Sequence, residues 1–116
     1  MLIAVAGPYS AETAAQRQHN LDELNKAAAD VLMRGHIPVI GVNAALPVVE
    51  WLDNQQNQYE NIMTISLALV DKCEAILIIG ESPGVKRELD LVRSKGLPVY
   101  LNSSEIPPAT PPCVVE

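Results

Sequence analysis

"AILIIGESPGVKRELD" (residues 75–90) is the stretch that decides the fold. Ala75 to Gly80 form an apolar run too short for a helix, of the kind that builds a strand buried on both faces. Ser82-Pro83-Gly84 interrupts it. The spacing of Val85, Leu89 and Val92 then predicts a helix from Val85 to Lys95, with Gly96 as its stop. Glu88 follows Gly84 by four residues, one turn into that helix. The start of the chain, "IAVAGPYSA" (residues 3–11), has the same form: apolar strand, glycine, polar residues.

The rest of the chain alternates in the same way. Residues 2–6 read as a buried strand, and a helical pattern runs from about Ala11 to Arg34, with Leu21, Leu24, Ala28, Val31 and Leu32 on one stripe. Gly35 ends it. "HIPVIGV" reads as a second strand and "NAALP" as a loop, while residues 48–57 fit either a short helix or an ordered loop with a Gln/Asn-rich exit. A helix from Gln58 to Lys72 is apolar around most of its second half, as a sandwiched helix would be. "LPVYLN" is the fourth strand. From Ser103 the chain carries four prolines in its last fourteen residues and reads as an extended tail outside a domain of residues 1–102.

Strands alternating with helices imply βαβ units, a parallel sheet and right-handed crossovers. The expected fold class is therefore α/β: a small doubly wound, Rossmann- or flavodoxin-like parallel sheet of four strands, order 2-1-3-4, with helices on both faces. Ligands of such sheets bind beyond the carboxyl ends of the strands, where the winding reverses. The loops at that point are Gly7-Pro8-Tyr9-Ser10 and Gly80 to Gly84.

Composition narrows the function classes. The chain has 116 residues, enough for one domain, with 48% apolar and 3% aromatic residues and no Phe. A net charge of −6 and few aromatics argue against nucleic acid as a partner. Cys73 and Cys113 do not suggest a disulfide, His19 and His36 are isolated, and no cluster has metal-ligand spacing, so neither metal nor cofactor is expected. No stretch approaches the ~20 apolar residues that span a bilayer. A cytoplasmic protein without membrane contact is the expectation.

At the crevice, Glu88 could be a solvated residue near a helix's positive end or a carboxylate aimed at a ligand. Its place one turn past Ser-Pro-Gly, beside rather than opposite the sheet-facing stripe, favours the second. Tyr9 could cap the core or hold the Glu88 rotamer. Arg17 and Asn20, one turn apart, would by themselves be an ordinary polar face.

The segment from Ala4 to Ile40 and the "SPGVKRE" segment (residues 82–88) together resemble the nucleoside 2-deoxyribosyltransferase-like superfamily. The matching features are a Gly-Pro-Tyr start, an R-x-x-N pair, a G-H-x-P strand entry and S-x-G-x-x-x-E, over roughly residues 1–101. The resemblance implies that Glu88 is a nucleophile and Tyr9 its orienting partner. It further implies that Gly7, Ser82 and Gly84 line the sugar or phosphate site, with Asn43 and Trp51 near the base, and that Pro8, Ser10, Arg17 and Asn20 also bind substrate. A homo-oligomer with shared sites is implied too. The sequence departs from that family at one place: an aspartate expected on the helix before the third strand is replaced by Thr64 and Ser66, with Asp71 further on.

The chemistry implied is cleavage of an N-glycosidic bond, with a carboxylate attacking C1′ of an oxocarbenium-like centre. Water as acceptor gives a hydrolase, a second base a transferase. The alternative is a nucleoside- or nucleotide-binding module of the same fold without catalysis, which the missing aspartate motivates. A phosphoribohydrolase ranks below both, because its P-G-G-x-G-T signature is absent.

Overall fold

The computed structural model describes residues 1–53 and 57–109. β1 (Leu2–Ala6), β2 (Ile37–Val39), β3 (Ala75–Ile78) and β4 (Val99–Tyr100) form one sheet in the order β2-β1-β3-β4. All three pairings are parallel, with Ile3 opposite Pro38 on one side and Ala75 on the other. The expected α/β fold and strand order are what the chain adopts.

Strand alternation sorts the core into two layers. Ile3, Val5, Ala75 and Leu77 face α1 (Ala14–Met33), meeting Leu24, Ala28 and Val31. Ala4, Ala6, Ile76 and Ile78 face the other way, toward Val70 on α3 (Gln58–Val70) and Val85 and Val92 on α4 (Pro83–Ser94). This division follows from right-handed crossovers: β1 to β2 runs one way across the sheet, and β2 to β3 to β4 runs the other. The winding therefore reverses between β1 and β3.

α1 and α4 stop as the sequence indicates. Gly35 (φ 89°) and Gly96 (φ 69°) occupy the left-handed region. At each, the next residue's N–H reaches back to Val31 or Val92 at 3.3 Å, closing the last turn.

Two expectations are overturned. "NAALP" is no loop: α2 (Gly41–Val49) runs through it, Pro47 included. Gly41, Ala45 and Val49, at intervals of four, are buried along a helix that packs on α3. Pro47 lies inside this helix, where it removes the N–H that would reach Asn43, and the packing of Gly41, Ala45 and Val49 outweighs that loss.

The tail is not merely extended on the surface. Asn102 caps a single 3-10 turn, Ser103–Glu105, and Ile106 behind it is completely buried in the α1-facing core. The Arg34 guanidinium donates to the Ile106 carbonyl (3.0 Å), Ala109 N–H donates to the Arg34 carbonyl (2.7 Å), and His36 Nε2 lies 2.7 Å from the Pro107 carbonyl oxygen. The segment adds no strand, but it closes the open end of the core beside α1. Asn54 to Gln56, and the tail from Thr110 including Cys113, lie outside the described residues. Among the described residues, no helix is long and apolar enough to cross a membrane.

Candidate functional site

A cavity of about 740 Å³ opens at the carboxyl ends of β1 and β3, where the winding reverses. That volume is in the range of small-molecule sites. Gly7, Tyr9, Ser10 and Arg17 line it from the β1–α1 side, and Ser82, Gly84 and Glu88 from α4. Both stretches singled out in the sequence thus reach one site.

Glu88 is only 8% exposed. It shares its helix's buried face with Val85 and Val92, so it occupies the stripe itself rather than a place beside it. Its Oε2 accepts a hydrogen bond from the Ser66 hydroxyl of α3, which is also buried. Burial pushes the Glu88 carboxyl above its ordinary value, and the Ser66 hydrogen bond opposes that push. Ser66, one of the two residues standing in for the expected aspartate, therefore meets the carboxylate directly. Thr64 is exposed and bonds its own helix at Glu60 (2.8 Å), and Asp71 pairs with Lys95 (3.2 Å).

The approach of Ser66 depends on Gly41. A Cβ there would lie 2.8 Å from the Ser66 Cα and collide with its hydroxyl. Only a glycine lets α2 and α3 come this close.

No hydrogen bond joins Tyr9 to Glu88 among the described residues, so the orienting partner is Ser66. Tyr9 is instead fixed through its backbone: Asn20 donates to its carbonyl oxygen (2.9 Å), and Arg17 donates to that of Ala11 (2.7 Å). The R-x-x-N pair clamps the loop, and Arg17 also lines the cavity. Ser82 caps α4, accepting from the Val85 N–H (3.2 Å).

Four expected contacts lie elsewhere. Pro8 and Asn20 border a separate shallow hollow with Lys26 and Asp30. Asn43 donates to Asn25 (2.7 Å). Trp51 is 87% exposed just past the end of α2 and does not line the cavity.

Residues not anticipated take their places. Leu46 and Val49 of α2, with Tyr59, Ile62 and Met63 of α3, form an apolar wall. Arg87 sits 5.7 Å over the Tyr59 ring and bonds both oxygens of Glu60 (3.1 and 3.2 Å), bracing that wall from outside. Glu50, at the carboxyl end of α2, also reaches the cavity. Reading "NAALP" as a loop hid Leu46; the spacing of Val42, Leu46 and Val49 is the signal of that helix face.

Residues 1–102 match the family described as Domain of unknown function (DUF7768). The chain belongs to that family. No curated protein matches it. The family match ends before Ile106, so the core-closing segment lies outside the matched DUF7768 region.

Proposed function

We propose that this DUF7768 chain cleaves the N-glycosidic bond of a nucleoside or nucleotide, with Glu88 as nucleophile at C1′. The observation that carries the reading is a buried carboxylate on the wall of a switch-point cavity, held in one orientation by Ser66. A titratable group perturbed by burial and placed in a cleft is the usual mark of a reacting group. The resemblance to nucleoside 2-deoxyribosyltransferases gives the same residue the same role.

In the first step a Glu88 oxygen forms a bond to C1′ as the C1′–N bond breaks, its electron pair leaving with the base. In the second, water or another base attacks C1′ and frees the carboxylate. The apolar wall of Leu46, Val49, Ile62 and Met63 suits a planar base, and the polar loop at Tyr9 and Ser10 suits the sugar. Tyr9 serves the substrate rather than the carboxylate. An oligomer belongs to the same proposal.

The test is a screen of 2′-deoxynucleosides and their 5′-monophosphates, with and without a free acceptor base, followed by chromatography of released bases. Glu88→Gln keeps the shape and removes the negative charge, so base release should fall on the order of 10³-fold or more. Tyr9→Phe should lose less. An active wild type whose Glu88→Gln variant keeps most of its rate would make Glu88 structural and favour the non-catalytic binding module.

A further inference from the structure

We infer that the substrate of this site is a cationic N-glycoside, one whose base carries a fixed positive charge: a quaternised pyridine or an N-alkylated purine joined to C1′. The inference rests on the glycosidic reading above and names its substrate class.

The fate of the leaving base decides the class. A neutral base that departs with the C1′–N electron pair becomes an anion unless an acid protonates it. Among the described residues lining the cavity, none suits that task. The Ser66 hydroxyl already donates to Glu88, and Arg17 does not give up a proton in proteins. Glu88 is the nucleophile. Glu50 is exposed, so its carboxyl meets water rather than the buried surroundings that keep a carboxyl protonated. The phenols of Tyr9 and Tyr59 are far weaker acids than a carboxyl. A base that is already cationic needs no acid.

The walls agree. Negative charge gathering on a departing base would be stripped of water against Leu46, Val49, Ile62 and Met63, and repelled by Glu50 and Glu88. A cationic base leaves as a neutral ring, the form that an apolar wall favours. Charge is distributed to match. Glu50 stands at the carboxyl end of α2, the negative pole of that helix, and Glu88 on α4. The cation lining the cavity, Arg17, comes from α1 on the opposite face of the sheet. A positive ring also readies the nucleophile. Burial pushes the Glu88 carboxyl up, and an opposite charge beside it favours the ionised form, adding to the Ser66 hydrogen bond.

The balance closes without an acid. The Glu88 carboxylate forms a bond to C1′ while the C1′–N pair moves onto the ring nitrogen and cancels the ring's charge. Both charges vanish in that step. Water then attacks C1′, the pair of the C1′–O bond to Glu88 returns to the carboxylate, and the water proton passes to solvent.

The test pairs each cation with a neutral counterpart: nicotinamide riboside with its 1,4-dihydro form, and 7-methyl-2′-deoxyguanosine with 2′-deoxyguanosine, each also as the 5′-monophosphate. The pyridinium and alkylpurine arms separate the two sources of the charge. Wild type should release base from a cationic member about 10²-fold or more faster than from its neutral partner. With nicotinamide riboside, kcat/KM should rise with pH as Glu88 ionises and then stay level to about pH 8, since no acid has to remain protonated. Binding is read separately by calorimetry, with 1-methylnicotinamide against nicotinamide. The cation should bind about tenfold or more tightly, and Glu88→Gln should remove that preference. A smaller rate gap, a profile that falls again toward alkaline pH, or equal binding of the two rings overturns the cationic substrate and leaves the role of Glu88 standing. A wild type that releases base from none of these substrates overturns the glycosidic reading and this inference with it.

Discussion

Ser66 on α3 donates its hydroxyl proton to Oε2 of Glu88 on α4, and both side chains are buried beneath the cavity. Twenty-two residues separate them in sequence. The bond does two things at once. It selects one rotamer of the carboxylate, and it favours the ionised form against the desolvation that burial imposes.

Ser66→Ala should therefore move a pH profile, not just a rate. A hydrogen bond to a charged group contributes about 1.5–3 kcal/mol, so activity near neutral pH should drop roughly tenfold to a hundredfold. The limb of the profile that reports ionisation of Glu88 should shift to higher pH, because the interaction opposing burial is gone. A uniform loss with an unshifted limb would mean that Ser66 only packs.

The Glu88 carboxyl also makes a prediction about stability that needs no substrate. Its folded-state value is raised, so the folded chain holds this proton more tightly than the unfolded chain. The stability linked to that proton is complete below the unfolded carboxyl's value and is lost as pH rises through the folded one. At neutral pH Glu88 is thus a cost to the fold. Glu88→Gln should raise Tm there, and the difference from wild type should shrink as pH falls through the carboxylate range. Thermal melts at several pH values check it; a lower Tm for Glu88→Gln at neutral pH would contradict it.

Truncation after Asn102 should destabilise the fold. Ile106 is fully buried among Ile3, Leu24, Val31 and Leu77, and cutting the chain before it opens the core beside α1. Ile106→Ala alone should lose about 2–5 kcal/mol, read from denaturant unfolding. Truncation after Asn102 should lose more, since the bonds from Arg34 and His36 go with it.

The contrast between what the sequence disclosed and what it hid has a physical basis. β1 and β3 were legible because strands buried on both faces are apolar at every position, and α1 and α4 because each ends in a glycine with positive φ. The place of Glu88 followed from topology alone. The partner of Glu88 did not, because Ser66 meets it only through the crossing of α3 and α4, which leaves no local pattern. α2 was missed because Asn43 and Pro47 carry local turn signals that packing on α3 overrides. Ile106 was missed because a single apolar residue between prolines has no periodicity; its burial depends on the distant contacts of Arg34 and His36.

Gly41 offers the sharpest test of how the site is held. Gly41→Ala places a methyl against Ser66, 2.6 Å from its Cβ and 2.8 Å from its Cα. Backbone cannot yield as a long side chain can, so α2 and α3 must separate. Overpacking of this kind costs about 1–3 kcal/mol. Two of the three short contacts are with the Ser66 side chain, Oγ and Cβ, and the third with its Cα. Ser66→Gly removes the first two and leaves the third. In a Ser66→Gly background the cost of Gly41→Ala should therefore shrink without vanishing, a coupling of about 0.5 kcal/mol or more in a double-mutant cycle. Costs that simply add would place the strain somewhere other than the Gly41–Ser66 contact. Gly41→Ala alone should also lose more activity than its stability change explains, because the hydroxyl it displaces is the one that holds Glu88.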